Sequence, residues 1–493
     1  MKKVVVIGGG VAGLSAGIYA QKCGFDVTIL ESHSIAGGNC TSWKRRGYLF
    51  EGGMHWLTGS HVNQPLHKLW RYVGALDDSV VIYTPEPFIE YRHEGVPIRL
   101  YRDVNKTEKH LLELSPADEA EIKNFCNNIR KVRKLTMPVF DLRGVKVSKK
   151  NRPPLSLIFA GISAFSIVNA FKKISREQYI NRFIHPGIRD MIRAFTNEES
   201  GVGPLFLSMG IISSGDGGFP EGGSLPFARR MADKFTGLGG QILYSTRADR
   251  VLIENGKAAG VMAKGKRLDA DAVIVTADTM AIDHLFESPP KADWLDTMRA
   301  GTVPTMCTFI SLGIDADLGA YPKGFTFKPN QPVRLAEQTY EFIGINNYAA
   351  DPVYSPQGKT ALTVTLNGDT YDFWKKAREE NRYKDEKQRI ADDIIAALAV
   401  QIPETEGRVE VTDVATPLTY ERYCANWKGS WMTEMTTKIN MKTYPAVAKG
   451  LSGVYFAGHR MQPPGGLPVA LSSGRSAVQY LCRDSGTLFI SED

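Results

Sequence analysis

A strand–glycine loop–helix–strand unit opens the chain, and it constrains the fold more than any other feature. Val4 to Ile7 form a β-branched run of the kind that parallel strands need when both faces are buried. Gly8, Gly10 and Gly13 come next in G-x-G-x-x-G spacing. In such a unit the first glycine makes the tight turn, the second admits a pyrophosphate to the backbone, and the third lets helix and strand approach. Val11 and Ala12 lie where the helix N-terminus meets that phosphate, and Leu14 to Lys22 carry the helix onward. Gly24 stops it, Val27 to Leu30 form the next strand, and Glu31, with Ser32 beside it, ends that strand where a ribose hydroxyl needs an acceptor. Strand, glycines, helix, strand and terminal acid in register specify a dinucleotide site far better than the bare glycine pattern does.

The unit alone does not choose between FAD and NAD, but the residues C-terminal to it lean towards FAD. Ala36-Gly37-Gly38-Asn39 is a glycine-paired loop, and Tyr48 to Trp56 then reads as an aromatic strand, where an NAD domain would add another crossover helix. Near the other end, Gly453 to Gly458 reads as a short buried strand, Pro463 to Pro468 as a rigid turn, and Val469 to Leu481 as a helix rich in small residues. Between them, Gly222-Gly223-Ser224 opens a helix to about Phe235. Gln241–Ser245, Ala248–Glu254, Ala259–Ala263 and Ala272–Thr276 then read as strands, with turns at Asn255-Gly256 and Lys264-Gly265.

With these three blocks in this order, the sequence resembles the FAD-dependent family of phytoene desaturases, carotenoid isomerases and retinol saturases, and more distantly the flavin amine oxidases. The resemblance implies FAD as cofactor. It implies contacts from Gly37, Gly38 and Asn39, then from Gly53, Met54 and His55 as Phe50-Glu51-Gly52-Gly53 passes the isoalloxazine. It further implies adenine near Val251, pyrophosphate near Ala277, and flavin contacts from Gly458, His459, Gly466, Leu467, Pro468 and Val469. The family's Arg-x-Gly-Gly-Arg is Ile35-Ala36-Gly37-Gly38-Asn39 here, so backbone N–H groups and the helix dipole are left to meet the phosphates. A helix start favours negative charge through its orphan N–H groups and dipole, which suits a reduced flavin at the later helix.

The expected fold class is α/β: a discontinuous Rossmann-like FAD-binding domain over 1–74, 215–286 and 409–493. A substrate domain over 75–214 and 287–408 is expected to add a mixed sheet and a helical cap. A length of 493 residues with 43% hydrophobic content is ample for both. The six cysteines show no C-x-x-C spacing and read as reduced thiols, which points to a cytoplasmic protein. Lys2-Lys3 before an apolar run imitates a signal peptide, but the intact nucleotide motif argues for its retention.

One stretch departs from the average. Pro153 to Phe171 carries no charge, and basic residues flank it at Arg143, Lys146, Lys149, Lys150, Arg152, Lys172, Lys173, Arg176 and Arg182. It is slightly short of the ~20 apolar residues of a spanning helix. Two readings stand: a helix lying on the inner face of a membrane with its basic flanks on anionic headgroups, or a buried helix of the substrate domain. The net charge of +7 is clustered there without a nucleic-acid-binding module, so nucleic acid is not an expected partner.

His55 is the candidate catalytic residue, at the flavin's edge, against the alternative of a packed, hydrogen-bonded histidine. His55, His61 and His67 have no carboxylate or cysteine completing a metal set, so no metal is expected. Hydrolysis has no supporting motif. Tyr340, Tyr348, Trp374, Tyr420, Tyr423, Trp427 and Trp431 make an aromatic-rich second half that either lines a tunnel or packs. With one nucleotide fingerprint instead of two, NAD(P)H has no evident site, and the external electron donor or acceptor is unnamed by the sequence. The leading expectation is an FAD oxidoreductase exchanging hydride between N5 and a lipophilic polyene or isoprenoid. The alternatives are a flavin-free prenyl carrier of the GDP-dissociation-inhibitor kind and an amine oxidase.

Overall fold

A computed structural model describes residues 1–151, 170–171, 174–198, 200–434 and 442–492. The opening strand Lys3–Ile7 is central in a five-stranded parallel sheet, ordered Val454–Phe456, Ala272–Val275, Lys3–Ile7, Asp26–Leu30, Gln241–Leu243. Side chains alternate between faces along each strand. Val4, Val6, Val27, Ile29 and Ile274 pack into the core shared with the helices Val11–Lys22, Ser224–Gly237 and Leu467–Ser485. Val5, Ile7, Leu30, Val273 and Val275 pack on the opposite side, against the three-stranded antiparallel sheet Ala248–Glu254, Lys257–Ala263, Lys266–Asp269. The β-branched run of the opening strand is therefore used on both faces.

A seven-stranded mixed sheet forms the second layer, ordered Val409–Ala415, Cys307–Ile314, Thr360–Asn367, Ile343–Asn347, Gly324–Phe327, Ile89–His93, Val96–Leu100. Only the pair Gly324–Phe327 and Ile89–His93 runs parallel within it. The helices Tyr371–Glu379 and Tyr383–Gln401 bury Trp374, Ile390, Ile394 and Leu398 in its core. The helices Val104–Leu114, Glu119–Val132, Pro186–Ala194 and Gly203–Ser213 form a cap with their own core around Phe125, Tyr179, Phe183 and Phe206.

The α/β class and its two layers stand, and two boundaries need correction. Val409–Ala415, assigned by sequence to the dinucleotide unit, bonds antiparallel to Cys307–Ile314 in the other sheet. The cause is that every residue of Cys307–Ile314 is buried, as an interior strand requires, so it needs a partner on each edge; pattern alone does not say which sheet supplies one. Helix Asp293–Gly301, assigned to the substrate domain, packs Leu295 and Met298 into the core of the five-stranded sheet.

Of the apolar stretch 153–171, residues 153–169 lie outside the described residues; Phe171 at its end is buried and stacks on Phe206 at 4.2 Å. Among the described residues no helix is long and apolar enough to cross a membrane. The C-terminal segment returns over the first helix. Arg475 donates to Glu492 (Nε–Oε1 2.7 Å) and Asp141 (Nη2–Oδ1 2.7 Å), and Tyr19 also bonds Glu492.

Candidate active site

A cavity of about 1990 Å³ runs between the two sheets and is walled by both. Its first arm is mostly backbone. Gly8, at φ +104°, turns the chain out of the opening strand in a conformation that favours glycine. The helix then starts at Val11 with Gly10 as its N-cap and no side chain capping its N–H groups. A Cβ built on Gly10 would meet nothing closer than Gly37 O at 3.8 Å, which leaves that backbone open to a ligand. A Cβ on Gly13 would lie 1.9 Å from Gly8 O, so this glycine serves packing and is not on the wall. Gly37 N–H donates to Gly9 O (2.9 Å), stitching the second glycine loop to the first, and Gly37, Gly38 and Asn39 line the arm. Asn426 Nδ2 in turn donates to Asn39 Oδ1 (2.5 Å).

Glu31 and Ser32 line the far end, with Thr246, Arg247 and Ala248. The Glu31 carboxylate accepts Gly9 N–H (2.7 Å) and His33 N–H (2.6 Å). Burial raises its pKa against the opposing pull of these donors. The Val251 side chain is in the apolar core, with the residue 2% exposed, which leaves only its backbone for the expected adenine contact, and the start of its own strand, at Ala248, lines the cavity.

A second uncapped helix start faces the same arm. Gly458, His459, Gly466, Leu467, Pro468 and Val469 line it, Gly466 is the N-cap, and the first turn carries no acidic side chain. Two helix N-termini pointing N–H groups into one arm make it a place for anionic groups. Ala277 lies on the wall between them. His459 Nε2 is buried without a hydrogen-bond partner among the described residues. Burial, reinforced by Arg460, pushes its pKa down to about 4, so the ring is neutral. Arg460 itself is turned away from the cavity: its Nε and Nη2 bond the Asp278 carboxylate at 2.7 and 3.0 Å. The open backbone at Gly10, the paired helix starts and the orphaned His459 nitrogen fit a dinucleotide carrying a polar ring system.

At the junction of the arms, Glu51 is a structural clip. Its carboxylate accepts Gly53 N–H (2.8 Å), Met54 N–H (3.0 Å), Ser224 N–H (2.9 Å) and Tyr354 O–H (3.0 Å). This places Gly53, Met54 and His55 on the wall. The His55 ring lies 5.3 Å from that of Trp431 and 6.5 Å from that of Phe309, and burial lowers its pKa. His55 is therefore a neutral imidazole at the mouth of the second arm. His61 and His67 are spent on local backbone, at Asn63 N and Gly59 O.

The second arm is an apolar chamber. Trp56, Phe88, Phe219 and Phe325 meet Leu205 and Met209 of the cap across it. The aromatic-rich second half divides: Tyr340, Tyr423, Trp427 and Trp431 line the cavity, whereas Tyr348, Trp374 and Tyr420 are buried off its wall. Lys323 is on the wall and is not singled out by sequence, because nothing in its neighbourhood forms a motif. Burial pulls its pKa to about 7, against Glu51 and Asp351.

A family model described as "Flavin containing amine oxidoreductase" matches residues 11–482. Prolycopene isomerase of Daucus carota is 24% identical over 98% of this chain and 80% of its own length. All-trans-retinol 13,14-reductase of Danio rerio is 23% identical over 86% of this chain and 76% of its own. 4,4'-Diaponeurosporene oxygenase of Staphylococcus aureus is 23% identical over 97% and 98%. Among solved structures, an oxidoreductase from Methanosarcina mazei superposes with TM-score 0.59 at 20% identity, covering 97% of this chain and all of its own. Putrescine oxidase superposes with TM-score 0.60 at 15% identity, covering 98% and 99%, which is a likeness of fold.

Proposed function

From the premise that this chain belongs to the flavin-containing amine oxidoreductase family, and is therefore a flavin-dependent oxidoreductase, we propose that it binds FAD in the glycine arm and acts on a lipophilic polyene or isoprenoid, carotenoid- or retinoid-like, in the chamber. The observation that carries this reading is one continuous cavity, polar and backbone-lined at two helix starts and predominantly aromatic and aliphatic beyond His55, where Lys323 also stands on the wall. The relatives named for carotenoids and retinol agree with it.

When bound, the flavin supplies hydride exchange at N5. The chain's own residues do the rest. The Val11 helix start and Gly10 backbone hold the pyrophosphate, Glu31 takes a ribose hydroxyl, and the Leu467 helix start stabilises negative charge on the ring system. His459, neutral, adds a hydrogen bond without adding charge. His55, neutral between aromatic neighbours, is placed to orient the substrate at the junction or hold a proton there. The apolar chamber excludes water and takes hydrocarbon by area burial, at about 25 cal/mol per Å². A protonated amine substrate would face the basic side chain of Lys323, which favours the lipid over the amine reading.

Purified protein tests the reading directly. Visible flavin absorbance, with a bound species that extracts as FAD and bleaches on reduction, is the expected result. A colourless protein that does not take up FAD favours the flavin-free carrier and overturns it. Contact with anionic membrane through 153–171, on the cytoplasmic side, is part of the same proposal. It predicts sedimentation with anionic vesicles at low salt that weakens as salt rises; protein that stays in the supernatant removes it.

A further inference from the structure

Lys323 is a basic side chain on the chamber wall for which flavin binding and hydrocarbon binding provide no task. Its backbone is fixed, its carbonyl accepting Asn347 N–H (2.8 Å) at the start of the strand Gly324–Phe327. Its Nζ is buried without a hydrogen-bond partner among the described residues. It lies 3.4 Å from the centre of the Tyr348 ring and 5.0 Å from that of Phe219. Beyond Tyr348, the titratable groups that act on it are Glu51, Asp351 and His55. Both carboxylates are committed elsewhere, Glu51 to its four donors and Asp351 to Gly222 N–H (2.7 Å) and Val353 N–H (3.0 Å).

These surroundings discriminate among lipophilic ligands. A pure hydrocarbon would leave the buried amine without an acceptor, at the cost of an unsatisfied polar group. A fatty carboxylate would bring a third negative charge beside Glu51 and Asp351. A carbonyl supplies an acceptor oxygen, adds no charge and offers an electrophilic carbon. We infer that Lys323 is a carbonyl-capture site, holding a lipophilic aldehyde by a hydrogen bond to its oxygen and then as a Schiff base. The inference rests on the reading that the chamber takes a lipophilic ligand.

The step balances without oxidant or reductant. The nitrogen lone pair adds to the carbonyl carbon, the C=O π electrons move to oxygen, and a proton passes from nitrogen to that oxygen. Loss of water then leaves C=N. With its pKa at about 7 by burial, roughly half of Lys323 is free amine at neutral pH, against on the order of one in 10³ for an ordinary lysine.

The test incubates the flavin-loaded protein with hexadecanal and cyanoborohydride at neutral pH and maps the reduced adducts by peptide mass spectrometry. The expected result is a dominant adduct on Lys323, formed at least about tenfold faster than on any other lysine, as its larger free-amine fraction dictates. A long-chain hydrocarbon should compete it away, and Lys323→Met should lose it while keeping flavin absorbance. Lys323→Arg, which keeps the charge, should lose it too and serves if the methionine variant does not fold. Labelling spread over other lysines with Lys323 untouched, or equal Lys323 labelling in native and urea-unfolded chain, overturns the inference. Flavin-loaded protein with Lys323 unlabelled removes this inference alone, whereas a labelled but flavin-free protein removes the cofactor reading alone.

Discussion

The two arms of the cavity are built by different means. The cofactor arm is made of backbone: loops at Gly8–Gly10 and Gly37–Gly38 and helix starts at Val11 and Leu467 present N–H groups, and side chains mostly stay out of the way. The chamber is made of side chains, contributed by the cap, the seven-stranded sheet and the loop around Trp431, segments hundreds of positions apart. A backbone site tolerates almost no added atom at its glycines and is indifferent to most neighbours. A side-chain site tolerates substitution singly and sets what it binds by the sum of its wall. The same fold can therefore keep one cofactor while its substrate arm diverges.

The largest expected effect breaks the frame that both arms share. Arg460 and Asp278 are 2% and 1% exposed at the side chain, and Arg460→Met leaves a buried carboxylate unpaired. We expect a loss of about 3–5 kcal/mol of stability, read by denaturant unfolding; a change of less than about 1 kcal/mol would show the pair to be dispensable. Burial alone would raise the Asp278 pKa, but Arg460 outweighs it and holds the carboxyl below its usual range. The sign comes from that depression. The pair's contribution is complete above the unfolded value of about 3.9 and is lost as pH falls from there through the folded value. The wild type should show this acid-side loss and Arg460→Met should not.

The next pair of variants separates packing from binding within the cofactor arm. Gly13→Ala drives a methyl to 1.9 Å from Gly8 O and should cost about 2–3 kcal/mol in thermal unfolding of the cofactor-free protein. Gly10→Val has open space at Cβ and should leave that unfolding unchanged, yet weaken flavin retention by more than about tenfold, or 1.4 kcal/mol. If Gly10→Val destabilises the free protein as much as Gly13→Ala, the distinction between an open and a packed glycine is wrong.

The smallest effect sharpens the contrast at the junction. His55→Gln keeps a polar side chain beside Trp431 and Phe309. Flavin content and unfolding should match the wild type, while turnover of a lipophilic substrate falls about 10–100-fold. Equal turnover would make His55 a packed residue and nothing more.

Legibility in the sequence divides along the same line. Gly8, Gly10, Gly37, Gly38, Gly458 and Gly466 can be placed from sequence because their roles are set by local backbone, which leaves its mark in spacing. Glu31 can be placed because it ends a strand. Lys323, Phe88 and Phe309 cannot, because they reach the chamber only through the pairing of the seven-stranded sheet, and neither can Phe219, which the short antiparallel pair of Phe219–Pro220 with Ile82–Tyr83 brings there. The span 409–493 is assigned to the dinucleotide unit as one block, and Val409–Ala415 departs from it because position along the chain does not name a strand's partners. Glu51 illustrates the intermediate case. Its position is legible, but its four hydrogen bonds, which join its own loop to Ser224 and Tyr354, require the folded chain.

The order of the five-stranded sheet also has a consequence for synthesis. Lys3–Ile7 is synthesised before the other strands of its sheet, yet the strand at the sheet's edge, Val454–Phe456, and the helix Leu467–Ser485 that covers its face follow about 450 residues later. At ~5–20 residues per second, on the order of 20–90 s separate the opening strand from the segment that completes its sheet. During that interval Val4 to Ile7 and the face of the first helix that meets Leu467–Ser485 are without part of their final cover. Pulse-labelled chains should therefore engage chaperones until the last strand is released, and should acquire protease resistance in the N-terminal unit only then.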